Sequence, residues 1–460
     1  MLYQKDTIAA IATGMTNAGI GVIRISGEEA IQVADSVFCA KNSRKSVENT
    51  PSYSALFGNI VDGEDILDEA ICLVMRAPNS YTTEDVVEVQ CHGGIVMLQR
   101  ILKLILEHGA RAAEPGEFTK RAYLGGRIDI TQAESVMDMI HAKNELAAKS
   151  SISQLRGSLS VRIKDIRAMI LENVAYIESA LDDPENYSLE GFSEGLRIQV
   201  TETIQEVEKL LITASEGKMI KEGIRTVILG KPNAGKSSFL NKILGEERAI
   251  VTEIAGTTRD TLEEDAIVQG IPLKIVDTAG IHETVDVVEK IGVEKAKKSV
   301  EDADLIVYVI DGSKPLDADD MQIIELLSDR KVILLVNKID KEQVVDKTCI
   351  TSKINAPMVE ISAKSGEGMD SFKDELTKMF FHGNLSMNDQ VYITNLRHKQ
   401  ALQDANESLK QVIQSIDMEM PEDFLSIDLM AAYEQLGYIL GEELEDDLAN
   451  EIFGKFCMGK

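Results

Sequence analysis

The chain has 460 residues, more than one ordinary hydrophobic core supports, so about three domains are expected. Its 48 Lys and Arg against 77 Asp and Glu leave a formal charge of −29, which disfavours broad contact with a phosphate backbone, so any nucleic acid must be met locally. Apolar runs fall short of the ~20 residues needed to cross a bilayer, the start Met1-Leu2-Tyr3-Gln4-Lys5-Asp6 lacks signal-peptide order, and five scattered cysteines (Cys39, Cys72, Cys91, Cys349, Cys457) lack metal-ligand spacing, so a soluble cytoplasmic protein with reduced thiols, no membrane segment and no zinc site is expected.

Residues 1–121 read as an α+β domain, with strands near Ile20–Ile25 and Val86–Cys91 and a helix near 95–107. The loop Thr13–Gly19 is glycine-rich but has no lysine, so it takes no nucleotide role. Residues 122–222 read as helical, because apolar residues recur at helical spacing (Ala133, Val136, Met137, Ile140, then Leu159, Ile163, Ile166, Ile170, Val174). Asp182-Asp183-Pro184 breaks that run, a second helix is expected over about 192–216, and Gly217 and Gly223 are candidate hinges. Over 223–382 strand-like runs alternate with helical stretches, the pattern of a mostly parallel, doubly wound α/β sheet with ligands at the strand carboxyl ends. Helical spacing returns over 383–460, where the acidic run 442–447 reads as a solvated face. The α/β domain is therefore expected as an insertion into a helical one.

The motifs fall at strand ends. Gly230-Lys231-Pro232-Asn233-Ala234-Gly235-Lys236-Ser237 has phosphate-loop spacing, between the strand-like Arg225–Leu229 and a helical stretch. Backbone N–H groups at such a turn favour phosphate, Lys236 would meet the β- and γ-phosphates, and Ser237 would offer its hydroxyl to Mg²⁺. Asp277-Thr278-Ala279-Gly280 would place a carboxylate near Mg²⁺ and an N–H near the γ-phosphate. In Asn337-Lys338-Ile339-Asp340 a carboxylate can accept from N1–H and the 2-amino group of guanine, donors that adenine lacks, and Ser362-Ala363-Lys364 would close the base pocket. Gly256-Thr257-Thr258 lies where a switch segment is expected, with Thr258 as the second Mg²⁺ hydroxyl. GTP contacts are thus expected over Asn233, Ala234, Gly235, Lys236, Ser237 and Ser238, over Thr252, Glu253, Ile254, Ala255, Gly256, Thr257 and Thr258, and at the three later motifs. Ile281 occupies the position where Ras-like enzymes place a water-orienting Gln, leaving His282, Glu283, Asp286 and Glu289 as polar candidates.

This motif order, the split helical region, the segment Pro115-Gly116-Glu117-Phe118-Thr119-Lys120-Arg121-Ala122-Tyr123-Leu124 and the ending Phe456-Cys457-Met458-Gly459-Lys460 together resemble the MnmE (TrmE) family of tRNA uridine-modification GTPases over the whole chain. The resemblance implies an N-terminal folate-binding and dimerising domain, a helical domain and an inserted Ras-like GTPase domain. It implies K⁺ held by the Asn233 side chain and the carbonyls of Thr252, Ile254 and Thr257, standing in for an arginine finger, with Lys236, Asn233 and the water-orienting Glu289 as catalytic residues. It implies a homodimer that works with an FAD-dependent MnmG (GidA)-like partner on tRNA. Together they would install an aminomethyl-type (carboxymethylaminomethyl) group at C5 of the wobble uridine, with 5,10-methylene- or 5-formyl-tetrahydrofolate as carbon donor. Folate contacts would involve Arg24, Glu88, Arg127 and Lys460. Cys457, the family's near-terminal cysteine, reads as a packing residue or a nucleophile in the modification chemistry. Arg127 stands where the family commonly has Lys, Thr83 replaces a frequent glycine, and the usual Pro-Gly of the 14–17 loop is absent, all of which bear on the folate pocket. A ribosome-assembly GTPase would carry a basic RNA-binding module, whereas the flanks here are acidic, and a purely regulatory GTPase is the third reading.

Overall fold

The computed structural model describes residues 6–246, 264–276, 300–301, 303–381, 391–442, 452–456 and 459. The chain forms two compact units, one of residues 1–137, 154–176 and 433–460 and the other of residues 138–153 and 177–432.

The first unit is built on a sheet of β1 (Ile8–Ile11), β2 (Gly21–Ser26), β3 (Phe38–Ala40), β4 (Ser54–Asp62), β5 (Asp65–Met75), β6 (Val86–Cys91) and β7 (Arg111–Ala112), in the order β3-β4-β5-β6-β2-β1-β7. Every pairing is antiparallel except β1 with β7. Helices α1 (Ala30–Val37) and α2 (Ile95–Glu107) share a core with the sheet through Ile23, Ile25, Val87, Val89, Leu98 and Ile101. The strand at 86–91 and the helix at 95–107 lie where the alternation and the helical spacing place them. The β4–β5 hairpin was not legible, because the cross-strand partners Phe57 and Ile71 are both exposed and apolar, which blurs its polar–apolar alternation.

Arg121, in α3 (Glu117–Leu124), is 3% exposed and sits among three carboxylates. It donates to Asp6 Oδ1 (2.8 Å), Glu84 Oε1 (3.0 Å) and Glu117 Oε1 (3.0 Å), while Arg111 donates to Glu117 Oε1 (2.6 Å). Burial would raise the Asp6 and Glu117 carboxyls, but the arginines outweigh it and hold both below the usual carboxylate range. A depressed carboxyl contributes stability that is complete above its unfolded value, near 4, and is lost as the pH falls through the lower folded one. Arg121→Met leaves Glu84 and Glu117 poorly compensated, so it is expected to destabilise this unit by about 3–5 kcal/mol at neutral pH and to unfold it at a higher pH on acid titration. Circular dichroism against denaturant and pH checks both, and an unchanged acid midpoint refutes the account.

In the second unit β8 (Ile224–Leu229), β9 (Glu264–Val268), β10 (Ile271–Val276), β11 (Leu305–Asp311), β12 (Val332–Asn337) and β13 (Met358–Ile361) form a sheet in the order β13-β12-β11-β8-β10-β9. All pairings are parallel except β9 with β10, as expected of a mostly parallel sheet. The reading along the chain missed β9, although Gln269 (φ 50°) and Gly270 (φ 81°) make the two-residue turn that signals a hairpin. The run of helices 4 to 7 comprises α4 (Ile130–His141), α5 (Glu145–Leu155), α6 (Ser158–Asp182) and α7 (Phe192–Glu222). Helix α7 runs past the expected end near 216, and Gly217 is no hinge. It lies inside the helix, where a Cβ would stand 2.3 Å from the Ile393 carbonyl oxygen, so glycine permits a close approach. Gly223, at φ 89°, ends the helix and leads into β8.

Residues 138–153 pack with the nucleotide-motif sheet, where Leu146 and Ala147 join the core of Leu273 and Phe372. Asn144 donates to the Ile220 carbonyl (2.9 Å) and accepts from Ala147 N–H (2.8 Å), while Lys143 meets Asp265 (3.1 Å).

Candidate functional site

The phosphate loop joins β8 to helix α8 (Lys236–Glu246). Its shape depends on close backbone approach. A Cβ at Gly230 (φ 148°) would lie 2.4 Å from the Val309 carbonyl oxygen, and one at Gly235 (φ 107°) 2.0 Å from Asn337 Nδ2. Asn233 takes a left-handed conformation (φ 63°), which Asn tolerates better than most residues. Lys236 Nζ donates to the carbonyls of Gly230 (2.6 Å) and Lys231 (2.8 Å). Burial pushes its pKa below the ordinary value, because carbonyl dipoles compensate the charge less than an anion would.

Two later motif residues, Asn337 and Lys338, reach the same loop. Asn337, 2% exposed, donates from Nδ2 to the Ala234 carbonyl (2.8 Å) and accepts at Oδ1 from Ala363 N–H (2.9 Å). It ties the phosphate loop to the Ser362-Ala363-Lys364 turn. Lys338 donates to the Asn233 carbonyl (2.6 Å) and to Asp311 Oδ2 (2.6 Å). Burial would raise the Asp311 carboxyl, but Lys338 and Ser313 outweigh it and hold it low. The Ser362 hydroxyl donates to Asp340 Oδ1 (2.9 Å), which orients an exposed carboxylate. Lys364 is exposed beside it, and Ser237 and Ser238 open α8.

Sequence reasoning missed Asp311, Gln343 and Tyr308. Asp311 closes the apolar run of β11, a strand-end position that could have singled it out. Gln343 Nε2 braces the 338–341 turn by donating to the Lys338 (3.0 Å) and Lys341 (3.1 Å) carbonyls. Of the other expected site residues, Thr252, Glu253, Ile254, Ala255, Gly256, Thr257, Thr258, Asp277, Thr278, Ala279, Gly280 and Glu289 lie outside the described residues, as do Cys457 and Lys460.

In the first unit, register brings Arg24 of β2 opposite Glu88 of β6. Arg24 Nε donates to Glu88 Oε1 (2.9 Å) and Nη1 to the Gly459 carbonyl (3.4 Å). Its guanidinium carbon lies 5.2 Å from the Tyr81 ring centre and 5.5 Å from that of Phe118, while the Arg127 guanidinium lies 4.9 Å from Tyr81. Three of the four residues linked to folate by resemblance are therefore gathered around one tyrosine. Tyr81 and Phe118 had not been singled out, although Phe118 lies within the quoted segment 115–124 and Tyr81 two residues before Thr83. Thr83 has φ 69°, a conformation that a glycine adopts at lower cost.

A family profile described as the MnmE helical domain matches residues 130–457, and one described as the GTP-binding protein TrmE N-terminus matches residues 7–127. The chain is 56% identical over 457 residues to the tRNA modification GTPase MnmE of Lachnoclostridium phytofermentans, covering 99% of this chain and 100% of that one. It is 46% identical to the protein of that name from Clostridioides difficile, covering 100% of both.

Proposed function

This chain belongs to the MnmE family of tRNA modification GTPases, and from that membership we propose that it is a K⁺-stimulated GTP hydrolase that acts with an FAD-dependent partner of the MnmG type. This chain, as a cytoplasmic homodimer, would together with that partner install a carboxymethylaminomethyl-type group at C5 of the wobble uridine with a reduced folate as carbon donor. The observation that carries the one-carbon part is the Arg24–Glu88 pair beside Tyr81 and Phe118. A carboxylate there can accept from the donor edge of a pterin, arginines can meet the carboxylate tail, and the rings offer a face to a flat heterocycle.

In the nucleotide site, Lys236 would hold the β- and γ-phosphates, Asp340 would select guanine, and Glu289 would orient the attacking water. Ser237 and Thr258, two hydroxyl donors suited to a hard cation, would hold Mg²⁺, and Asn233 with the carbonyls of Thr252, Ile254 and Thr257 would hold K⁺. The cations would offset charge developing on the phosphates. Conformational change accompanying hydrolysis would gate the modification step.

The test is calorimetric titration with 5-formyltetrahydrofolate. The unaltered protein is expected to show saturable binding, and Arg24→Ala to weaken it about 30-fold or more, the loss of a charge-assisted contact in a half-buried site. Absence of binding by the unaltered protein would overturn the folate reading and leave the GTPase assignment standing.

A further inference from the structure

Lys231 follows the first glycine of the phosphate loop, at a position the nucleotide-binding pattern leaves open. Its side chain is nonetheless committed. Nζ contacts Asp320 Oδ2 at 2.7 Å and pairs with Asp317, and both acids belong to the start of helix α9 (Ala318–Leu326). Asp317 caps that helix by accepting from the N–H groups of Asp319 and Asp320, and Asp320 reciprocates by accepting from Asp317 N–H. Asp320 is 6% exposed and also accepts at Oδ1 from the fully buried Tyr308 hydroxyl (2.9 Å). With three donors on one carboxylate, Asp320 has little freedom to move. Burial would lower the Lys231 pKa, but the two carboxylates outweigh it and raise it, so the ammonium is retained.

The backbone of Lys231 explains why such an anchor matters. Its carbonyl accepts both from Lys236 Nζ (2.8 Å) and from Ala234 N–H (3.2 Å), so the position of residue 231 sets where the phosphate-binding ammonium rests. The opposite arm of the loop is held at the Asn233 carbonyl by Lys338. Strand β11 supports the entry arm twice, through the Val309 carbonyl against Gly230 and through Tyr308 behind Asp320.

We propose that the Lys231–Asp320 pair is a positioning device for guanine-nucleotide binding, fixing the entry arm of the phosphate loop before the ligand arrives. The proposal rests on residues 230–237 being the nucleotide site. Because the arm also sets where the Lys236 ammonium rests, its loss is expected to weaken nucleotide binding and to lower turnover with it.

The test measures binding of a fluorescent GDP analogue and steady-state GTP hydrolysis for the full chain carrying Lys231→Met, Asp320→Asn, both, or Lys231→Arg. Each of the first two is expected to raise Kd about ten-fold and to lower kcat by no more than that factor, and the double variant to be no worse than either, as for residues acting as one unit. Lys231→Arg keeps the wild-type affinity. Lys231→Met has no part in the helix cap, so it reports on the loop even if Asp320→Asn folds poorly. Weakened binding in Lys231→Met with none in folded Asp320→Asn means that Lys231 touches the nucleotide itself and overturns the proposal. Additive losses, or unchanged Kd in both, overturn it too. If the unaltered protein bound no GDP, the site reading itself would fall, an outcome distinct from an idle tether.

Discussion

Lys236→Ala is expected to lower GTP hydrolysis about 1000-fold or more while leaving the fold intact. The ammonium is satisfied by the Gly230 and Lys231 carbonyls, and burial lowers its pKa. Bound phosphates complete that environment, and charge accumulating on them in the transition state strengthens the interaction where little water competes. A positive charge at this stage of phosphoryl transfer is worth on the order of 10³-fold or more when arginine provides it. Among the described residues, removing the lysine costs two hydrogen bonds to carbonyls, so the thermal midpoint should move little. Phosphate release under saturating GTP, together with a melting curve, checks both halves. Hydrolysis above about a tenth of wild type would exclude Lys236 from the transition state.

Asp340→Asn is expected to weaken GDP binding about 100-fold and to turn the preference toward xanthosine diphosphate. The carboxylate is exposed and aimed by the Ser362 hydroxyl at one oxygen, which leaves it able to accept from both donors of a guanine edge. Two charge-assisted hydrogen bonds, each contributing about 1.5–3 kcal/mol, account for a loss of that size. Xanthine carries a carbonyl where guanine carries its 2-amino group, so the amide of an asparagine can donate to it. Competition of the two diphosphates for the variant decides the matter, and retained guanine preference would show that base selection lies elsewhere.

Much of the phosphate-loop architecture was legible in the sequence. The loop 230–237 carries its instructions locally, since glycines permit the turn, the flanking strand and helix aim the N–H groups, and the spacing delivers Lys236. Asp340 and Ser362 stood out because each follows a strand-like run in a βα alternation, where ligands of such sheets lie. The long helices and the strand at 86–91 were equally visible, because a period of 3.6 or 2 is written in near neighbours.

Partners distant in the chain were not visible in this way. Asn337 reaches Ala234 across 103 residues, Arg24 meets Glu88 across 64, and Lys231 meets Asp320 across 89. Sheet register decides the second pair, and packing of the strand ends decides the others, neither of which any local period encodes. Gly217 illustrates the same divide. As a glycine it suggested a hinge, and only the carbonyl of Ile393 2.3 Å from its absent Cβ shows it to be a packing residue inside a helix. The order of residues by itself determined the domain types, the guanine-nucleotide chemistry and the family, because these depend on short motifs and periodicities. The tertiary structure alone decided which charges neutralise one another, which loops are tied together and where Arg24 finds its aromatic neighbours, because those free energies belong to contacts that exist only once distant segments have packed.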